Sequence, residues 1–511
     1  MLFNSYSFIF LFLPIAWIGY WIARGRSNEW GMIALSIASL FFYAYWDVRF
    51  LPVLLFSIGI NHFVAGMITR IGQWHSRSWL MAGIVFNLGL LGFFKYMNFF
   101  SEVSESLTGV AILSVHILLP IGISFFTFQQ ITYLIDAYRG KTARYDLLHY
   151  TVFVAFFPQL ISGPIVHHSE MMPQFKTASR PEARSIAIGL SIFIAGLFKK
   201  LVLADNIAPF ASAVFAASDS GADVTFVETW GALVAFSFQM YFDFSGYSDM
   251  AIGLGLMFGI RLPINFRSPY QALSIREYWQ RWHITLGRFL TDYVYIPLGG
   301  SRVTLPRNLA NLIILMFLSG MWHGAGLGFI LWGLLNGFWL CCNVIMSRIN
   351  QMLGITRGSL IPAPVACIMT FLAVSFGWCF FKSANFAGLV NMTETAMGFN
   401  GLTLPASFAL ELGSFAPVLE FLGFSFSGPG HVAIGEWATL GVPMIIASFL
   451  IVWTMPNTNQ LFLSNDPEYN VEEQGFLIWR PNMVGFVSVS GIFFFAMLFA
   501  SSISEFLYFQ F

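Results

Sequence analysis

The chain has 511 residues, of which 57% are apolar and only 10% are Asp, Glu, Lys or Arg; its net charge is zero. Soluble domains carry about 25% charged residues, so with a mean hydropathy of +0.71 this composition excludes a cytosolic enzyme, a disordered chain and a secreted disulfide scaffold. Zero net charge supplies no global field for nucleic acid, and what remains is an all-α polytopic membrane protein.

A helix rises 1.5 Å per residue, so a hydrocarbon core of ~30 Å needs ~20 apolar residues. Apolar runs of roughly that kind fall near 6–23, 31–46, 50–69, 79–100, 117–137, 150–166, 185–203, 229–258, 308–322, 325–346, 362–381, 436–455 and 484–505. Residues 402–427 are a further apolar stretch, which brings the expectation to eleven to fourteen membrane-embedded helices. The first run lacks a basic leader, and Arg24 and Arg26 follow it, as expected of a retained helix with its N-terminus outside. Arg70 and Arg77, then Arg139, Lys141 and Arg144, occupy alternate loops and read as cytoplasmic. Lys176, Arg180 and Arg184 break the alternation, so a segment near 150–203 is expected to re-enter or lie flat. Irregular backbone at membrane depth requires burial in protein or a wet cavity.

Within the 229–258 run, Gln239 to Asp249 places Asp243 and Asp249 among apolar residues. Carboxyls there must be neutralised, paired or hydrogen-bonded; they either orient a catalytic group or lock helices together. Residues 261–307 then gather seven arginines against Glu277 and Asp292, a net charge of +5, interrupted by Pro263, Pro269, Pro297 and Pro306. This segment cannot be one spanning helix. It reads as a cytoplasmic-face module, either a basic loop on anionic lipid or a receiver for a phosphorylated ligand such as coenzyme A, whose phosphates suit guanidinium forks. Inside it, Glu277–Arg288 has the pattern of an amphipathic interfacial helix, with Trp279, Trp282 and His283 at a headgroup boundary.

His323 follows in Ser319-Gly-Met-Trp-His-Gly-Ala-Gly326, between apolar runs. An ionisable side chain at that depth is functional by default, although a histidine tied to a neighbouring carbonyl for packing fits as well. Its flanking glycines leave room for close approach of a backbone or a substrate. Cys341, Cys342, Cys367 and Cys379 form no CxxC pair and read as small packing residues. No metal-ligand, nucleotide-loop or serine-hydrolase motif is present.

Several long motifs together resemble the membrane-bound O-acyltransferase family. They are Ser274-Ile-Arg-Glu-Tyr-Trp-Gln-Arg-Trp-His283, Asp292-Tyr-Val-Tyr-Ile-Pro-Leu-Gly-Gly-Ser-Arg302, Met321-Trp-His-Gly-Ala-Gly326, Leu119 to Gln129, Asp136 to Gly140, Phe157 to Pro164, Gly377 to Lys382 and Met455 to Gln460. Within the family, the bacterial branch that O-acetylates alginate is the one they resemble. The matches run in order along the whole chain, so one domain over 1–511 is expected.

That resemblance implies a ring of tilted transmembrane helices around a central tunnel, with re-entrant and interfacial helices, in the bacterial inner membrane. It implies acetyl transfer from cytoplasmic acetyl-CoA, a substrate rather than a bound cofactor, toward an exported polysaccharide, with no metal required. It gives His323 the role of general base and His283 the second signature position, with Trp322 beside them. Arg276, Arg281, Arg288 and Trp282 would line the donor side, and Asp243 or Asp249 would orient. A periplasmic SGNH-type acetyltransferase is the implied partner. The last six residues, Phe506-Leu-Tyr-Phe-Gln-Phe511, resemble the acyl-carrying end of a peptide that serves teichoic-acid D-alanylation. They make Tyr508 either an acyl relay or an aromatic anchor. Two other readings of the chain are a transporter of acyl groups or lipid-linked sugars and a structural subunit of an export complex.

Overall fold

A computed structural model of the protein describes every residue except 71–72, 111, 114–115, 143, 178–181, 355–360, 465, 467–468, 470, 472–474, 501–503 and 508–511. Among the described residues, seven helices are both long and apolar enough to cross a membrane: Phe8–Arg26, Val48–Arg70, His75–Thr108, Ala183–Asp219, Leu327–Met352, Ala363–Lys382 and Ile434–Thr454. The eleven to fourteen embedded helices expected include runs too short or interrupted to cross simply, and several apolar runs do form shorter helices. Asn28–Ala44 has 17 residues, and Ile123–Tyr138 and Met483–Leu498 have 16 each. The 150–166 run splits into Leu147–Ala155 and Phe157–Leu160, broken at Phe156 just ahead of Pro158. Nine residues of helix reach only about 14 Å, so this segment is too short to cross, in keeping with the expected irregularity there.

The chain divides into two compact units. One comprises Met1–Phe198, Gly246–Asn265 and Thr458–Phe511; the other comprises Lys199–Ser245 and Phe266–Asn457. Neither is continuous in sequence.

In the first unit, helices meet through small residues and buried amides. A Cβ on Gly189 would lie 2.6 Å from the Gly253 carbonyl oxygen, and one on Gly196 would lie 2.5 Å from that of Gly246. Only glycine lets these backbones touch, and where lipid replaces water such close packing drives helix association. Asn61 and Asn87 exchange side-chain hydrogen bonds of 3.2 and 2.6 Å. Gln130 Nε2 donates to Ser57 Oγ at 2.9 Å, and Tyr150 donates to Gln130 Oε1 at 3.3 Å. Buried amides without partners would be costly here, and these bonds fix helix register. One further cluster had no signal in the sequence: His168 Nε2 lies 3.2 Å from Asp136 Oδ2, and His168 Nδ1 lies 3.4 Å from the Tyr145 hydroxyl.

The second unit is organised around a hairpin of the helices Leu305–His323 and Leu327–Met352. A Cβ on Gly320 would collide with the Phe329 carbonyl and lie 3.1 Å from the Gly333 backbone, and one on Gly324 would run into the Phe329 ring, so the space beside His323 is taken by backbone at Gly320 and by an aromatic side chain at Gly324. Asn311 Nδ2 donates to the carbonyls of Leu298 and Gly300, tying the end of the arginine-rich segment to this hairpin. Tyr270 donates to the Ser237 carbonyl at 2.7 Å, and Ser237 shares a 2.8 Å hydrogen bond with Ser375. Residues 402–427 do not form a span. They contain two short parallel strands, Thr403–Leu404 and Ser425–Phe426, joined through the brief helices Phe408–Leu412 and Ala416–Phe421.

Candidate active site

The site is built where Ile275–Arg281 ends. Ser274 caps this helix by accepting from Glu277 N at 3.2 Å, and Glu277 Oε2 reaches back to accept from Leu273 N at 2.8 Å. This is a variant of the capping box in which the glutamate bonds the residue before the N-cap instead of the N-cap itself. Glu277 also holds Arg281 at 2.6 Å. The helix then stops at Trp282, and His283 adopts a left-handed conformation (φ +44°, ψ +52°) before a second helix, Ile284–Leu290, begins. Among the described residues, only Ser268 and His283 hold a positive φ without being glycine. Such a conformation costs of order 1–3 kcal/mol, and residues of this kind cluster at functional sites.

The break replaces the single interfacial helix expected over 277–288. It also buries what that reading had placed at the headgroups: Trp282 is 4% exposed and His283 is 1% exposed. Trp282 stacks on Tyr278 with 5.6 Å between ring centroids and meets Phe266 edge-on at 5.0 Å. His283 meets the edge of Phe244 at 4.8 Å. It lies outside the helices able to cross a membrane, and burial pushes its imidazole from 6.5 down to about 3. The ring is therefore neutral and able to accept a proton.

His323 is the last residue of its helix and is 5% exposed. Its ring packs against Trp332 at 5.1 Å and Phe381 at 5.4 Å, both edge-on. Trp322 links the two histidines, with its ring 4.9 Å from His323 and 5.8 Å from His283. Residues forty apart in sequence thus form one His–Trp–His array within one unit.

A cavity of about 330 Å³ opens beside this array, with Arg276, Trp279, Gln280, His283, Arg288, Met316 and Ser319 in its wall. Among the described residues, Ser319 Oγ and Trp279 Nε1 are buried there without a hydrogen-bond partner. A ligand oxygen would satisfy both donors, and the two arginines suit an anionic tail. Ser319, not His323, is the wall residue from the last two turns of that helix. Of the three arginines assigned to the donor side, Arg276 and Arg288 line the cavity, whereas Arg281 pairs with Glu277 and does not. Trp282 is likewise absent from the wall.

The two carboxylates have other partners. Asp243 Oδ1 lies 2.7 Å from Lys200 Nζ, which also meets Asp205 at 2.9 Å. Asp249, in the first unit, accepts from Thr458 Oγ1 at 2.8 Å. Tyr508 lies outside the described residues; nearby, Phe506 is buried edge-on against Tyr247 at 5.0 Å. Sequence reasoning missed Lys200, although two adjacent lysines inside the 185–203 run were a signal. It also missed Ser319, one helical turn before His323.

The family model of the membrane-bound O-acyltransferase family matches residues 78–382. A peptidoglycan O-acetyltransferase of Helicobacter pylori is 40% identical, with 100% of this chain aligned to 98% of that protein. A probable alginate O-acetylase of Pseudomonas aeruginosa is 39% identical over 84% of this chain and 81% of its own. Its counterpart in Azotobacter vinelandii is 40% identical over 79% of each.

Proposed function

The chain belongs to the membrane-bound O-acyltransferase family, and from that premise we propose that it moves acetyl from cytoplasmic acetyl-CoA across the bacterial inner membrane toward a hydroxyl of an exported or cell-wall glycan. The observation that carries this reading is the His283–Trp322–His323 array beside a cavity walled by Arg276 and Arg288. The arginines take the phosphates of the donor. Ser319 and Trp279 supply hydrogen-bond donors for the thioester carbonyl as negative charge develops on its oxygen.

His323 acts as the base. It takes the proton of the acceptor hydroxyl, whose oxygen forms a bond to the acetyl carbon. The carbon–sulfur bond breaks, and the proton passes to the departing thiolate, giving an O-acetyl ester and free coenzyme A. The neutral His283 lines the donor side. Tyr508 serves as the first acceptor: its phenol receives acetyl and passes it to an SGNH-type partner outside, which acetylates the polymer. The full-length match to a protein named for peptidoglycan supports a cell-wall glycan as the final acceptor.

The test uses purified full-length protein with labelled acetyl-CoA. His323→Ala is expected to lower thioester turnover about 10²–10⁴-fold, the range of a lost general base; turnover that survives the change removes His323 from that role. Tyr508→Phe is expected to abolish labelling of the protein and of the polymer, and normal polymer acetylation in this variant removes the relay. Glycan analysis of a deletion strain identifies the acceptor.

A further inference from the structure

Within the second unit, residues 383–433 form an excursion between two helices long enough to cross a membrane, Ala363–Lys382 and Ile434–Thr454. The excursion contains no Lys or Arg but has Glu394, Glu411 and Glu420, while the stretch of chain leading to Ala363 carries Arg348 and Arg357. Basic residues mark cytoplasmic loops, so the excursion belongs to the opposite face.

Its base is held firmly. Phe226 N donates to Thr403 Oγ1 at 3.0 Å, and Trp230 Nε1 donates to the Ala396 carbonyl at 3.0 Å. The buried Glu228 carboxylate accepts from His431 N at 2.8 Å. The parallel pairing of Thr403–Leu404 with Ser425–Phe426 closes the loop. From this fixed base the short helices present Leu410, Phe415 and Phe421, which are 89%, 70% and 90% exposed, with Val418 and Leu422 beside them. All five lie on one short stretch of chain, 410–422, with the exposed Glu411 and Glu420 among them, and a concentration of exposed apolar side chains beside polar ones suits an interaction site.

Three occupants could cover it. Helices that lie in a membrane surface carry a polar face rich in Lys and Arg; these carry neither, only Glu411 and Glu420, which anionic headgroups repel. A second copy of the chain would set the same carboxylates against each other. A protein with an apolar cleft rimmed by Lys or Arg complements both the side chains and the charge. We propose that this tip is the docking surface for such a protein on the non-cytoplasmic face. The inference rests on the proposed function only in naming that protein as the acceptor-side partner.

The test places a photo-crosslinking side chain at the exposed Ser414, in intact cells. One adduct with a second protein is expected. It should be lost when Leu410→Ser and Phe421→Ser are combined, and weakened by Glu411→Lys with Glu420→Lys. In the Ser variant, glycan acetylation should fall at least about tenfold, as when interface anchors are removed, while acetyl-CoA cleavage by the purified protein stays unchanged. Adducts with phospholipid alone or with a second copy of the chain, no adduct at all, or normal glycan acetylation in the Ser variant would overturn the proposal. The adduct reports docking whether or not acetyl-CoA is cleaved, so a Leu410-dependent adduct from a protein that cleaves no acetyl-CoA would sink the proposed reaction and leave the docking standing.

Discussion

The ring of Trp322 lies 5.8 Å from that of His283 at an interplanar angle of 62°, and its chain neighbour is His323. One indole therefore sets the spacing of two imidazoles that belong to separate segments. Trp322→Ala opens a hole between them and should destabilise the protein by about 3–5 kcal/mol, as large aromatic truncations do, with acetyl transfer lost as well. Trp322→Phe retains most of the packing. Thermal unfolding in detergent should place it between the other two, with turnover reduced less than in the alanine variant.

The His283 imidazole, held near 3 in the folded protein against 6.5 for a free one, makes stability depend on pH. Between those values the unfolded chain binds a proton at this position and the folded chain does not. Stability therefore rises with pH across that window and is lost as pH falls below about 6.5. Melting temperatures measured from pH 7 down to pH 4 should decline less steeply in His283→Gln than in the unsubstituted protein. Parallel declines would count against a buried neutral ring.

Lys200 sits between two carboxylates, Asp243 and Asp205. Removing the cation leaves charge buried without compensation, which typically costs about 3–5 kcal/mol. Lys200→Met should lower the midpoint of thermal unfolding sharply. Adding Asp243→Asn should recover part of the loss, since it removes one of the stranded charges. A double variant no more stable than Lys200→Met would mean that the pair does not act as a unit.

The arginines of the basic segment should separate by position. Arg276→Ala and Arg288→Ala remove cavity cations and should raise KM for acetyl-CoA about tenfold, roughly one charge-assisted hydrogen bond each. Arg281→Ala removes a partner of Glu277 instead, so it should lower stability slightly with little change in KM. Steady-state kinetics on the three variants reads this directly; equal KM effects would place the donor elsewhere.

The sequence by itself determined the membrane class, because 10% charge cannot clothe a soluble protein of this size. It also determined the concentration of arginine over 261–307 and the expense of keeping His323 between apolar runs. Those are properties of composition and local order. The left-handed turn at His283 was not legible: periodicity over 277–288 describes a continuous helix, and only tertiary packing of Trp282 against Tyr278 and Phe266 overrides it. Nor could Asp243 be assigned a partner before folding brought it to Lys200, forty-three residues away. The glycines around His323 read equally well as room for substrate or for backbone, and packing filled that room with the Phe329 and Gly333 backbone at Gly320 and with the Phe329 ring at Gly324. Side-chain chemistry is written residue by residue, whereas which groups share a buried space depends on how distant segments pack together.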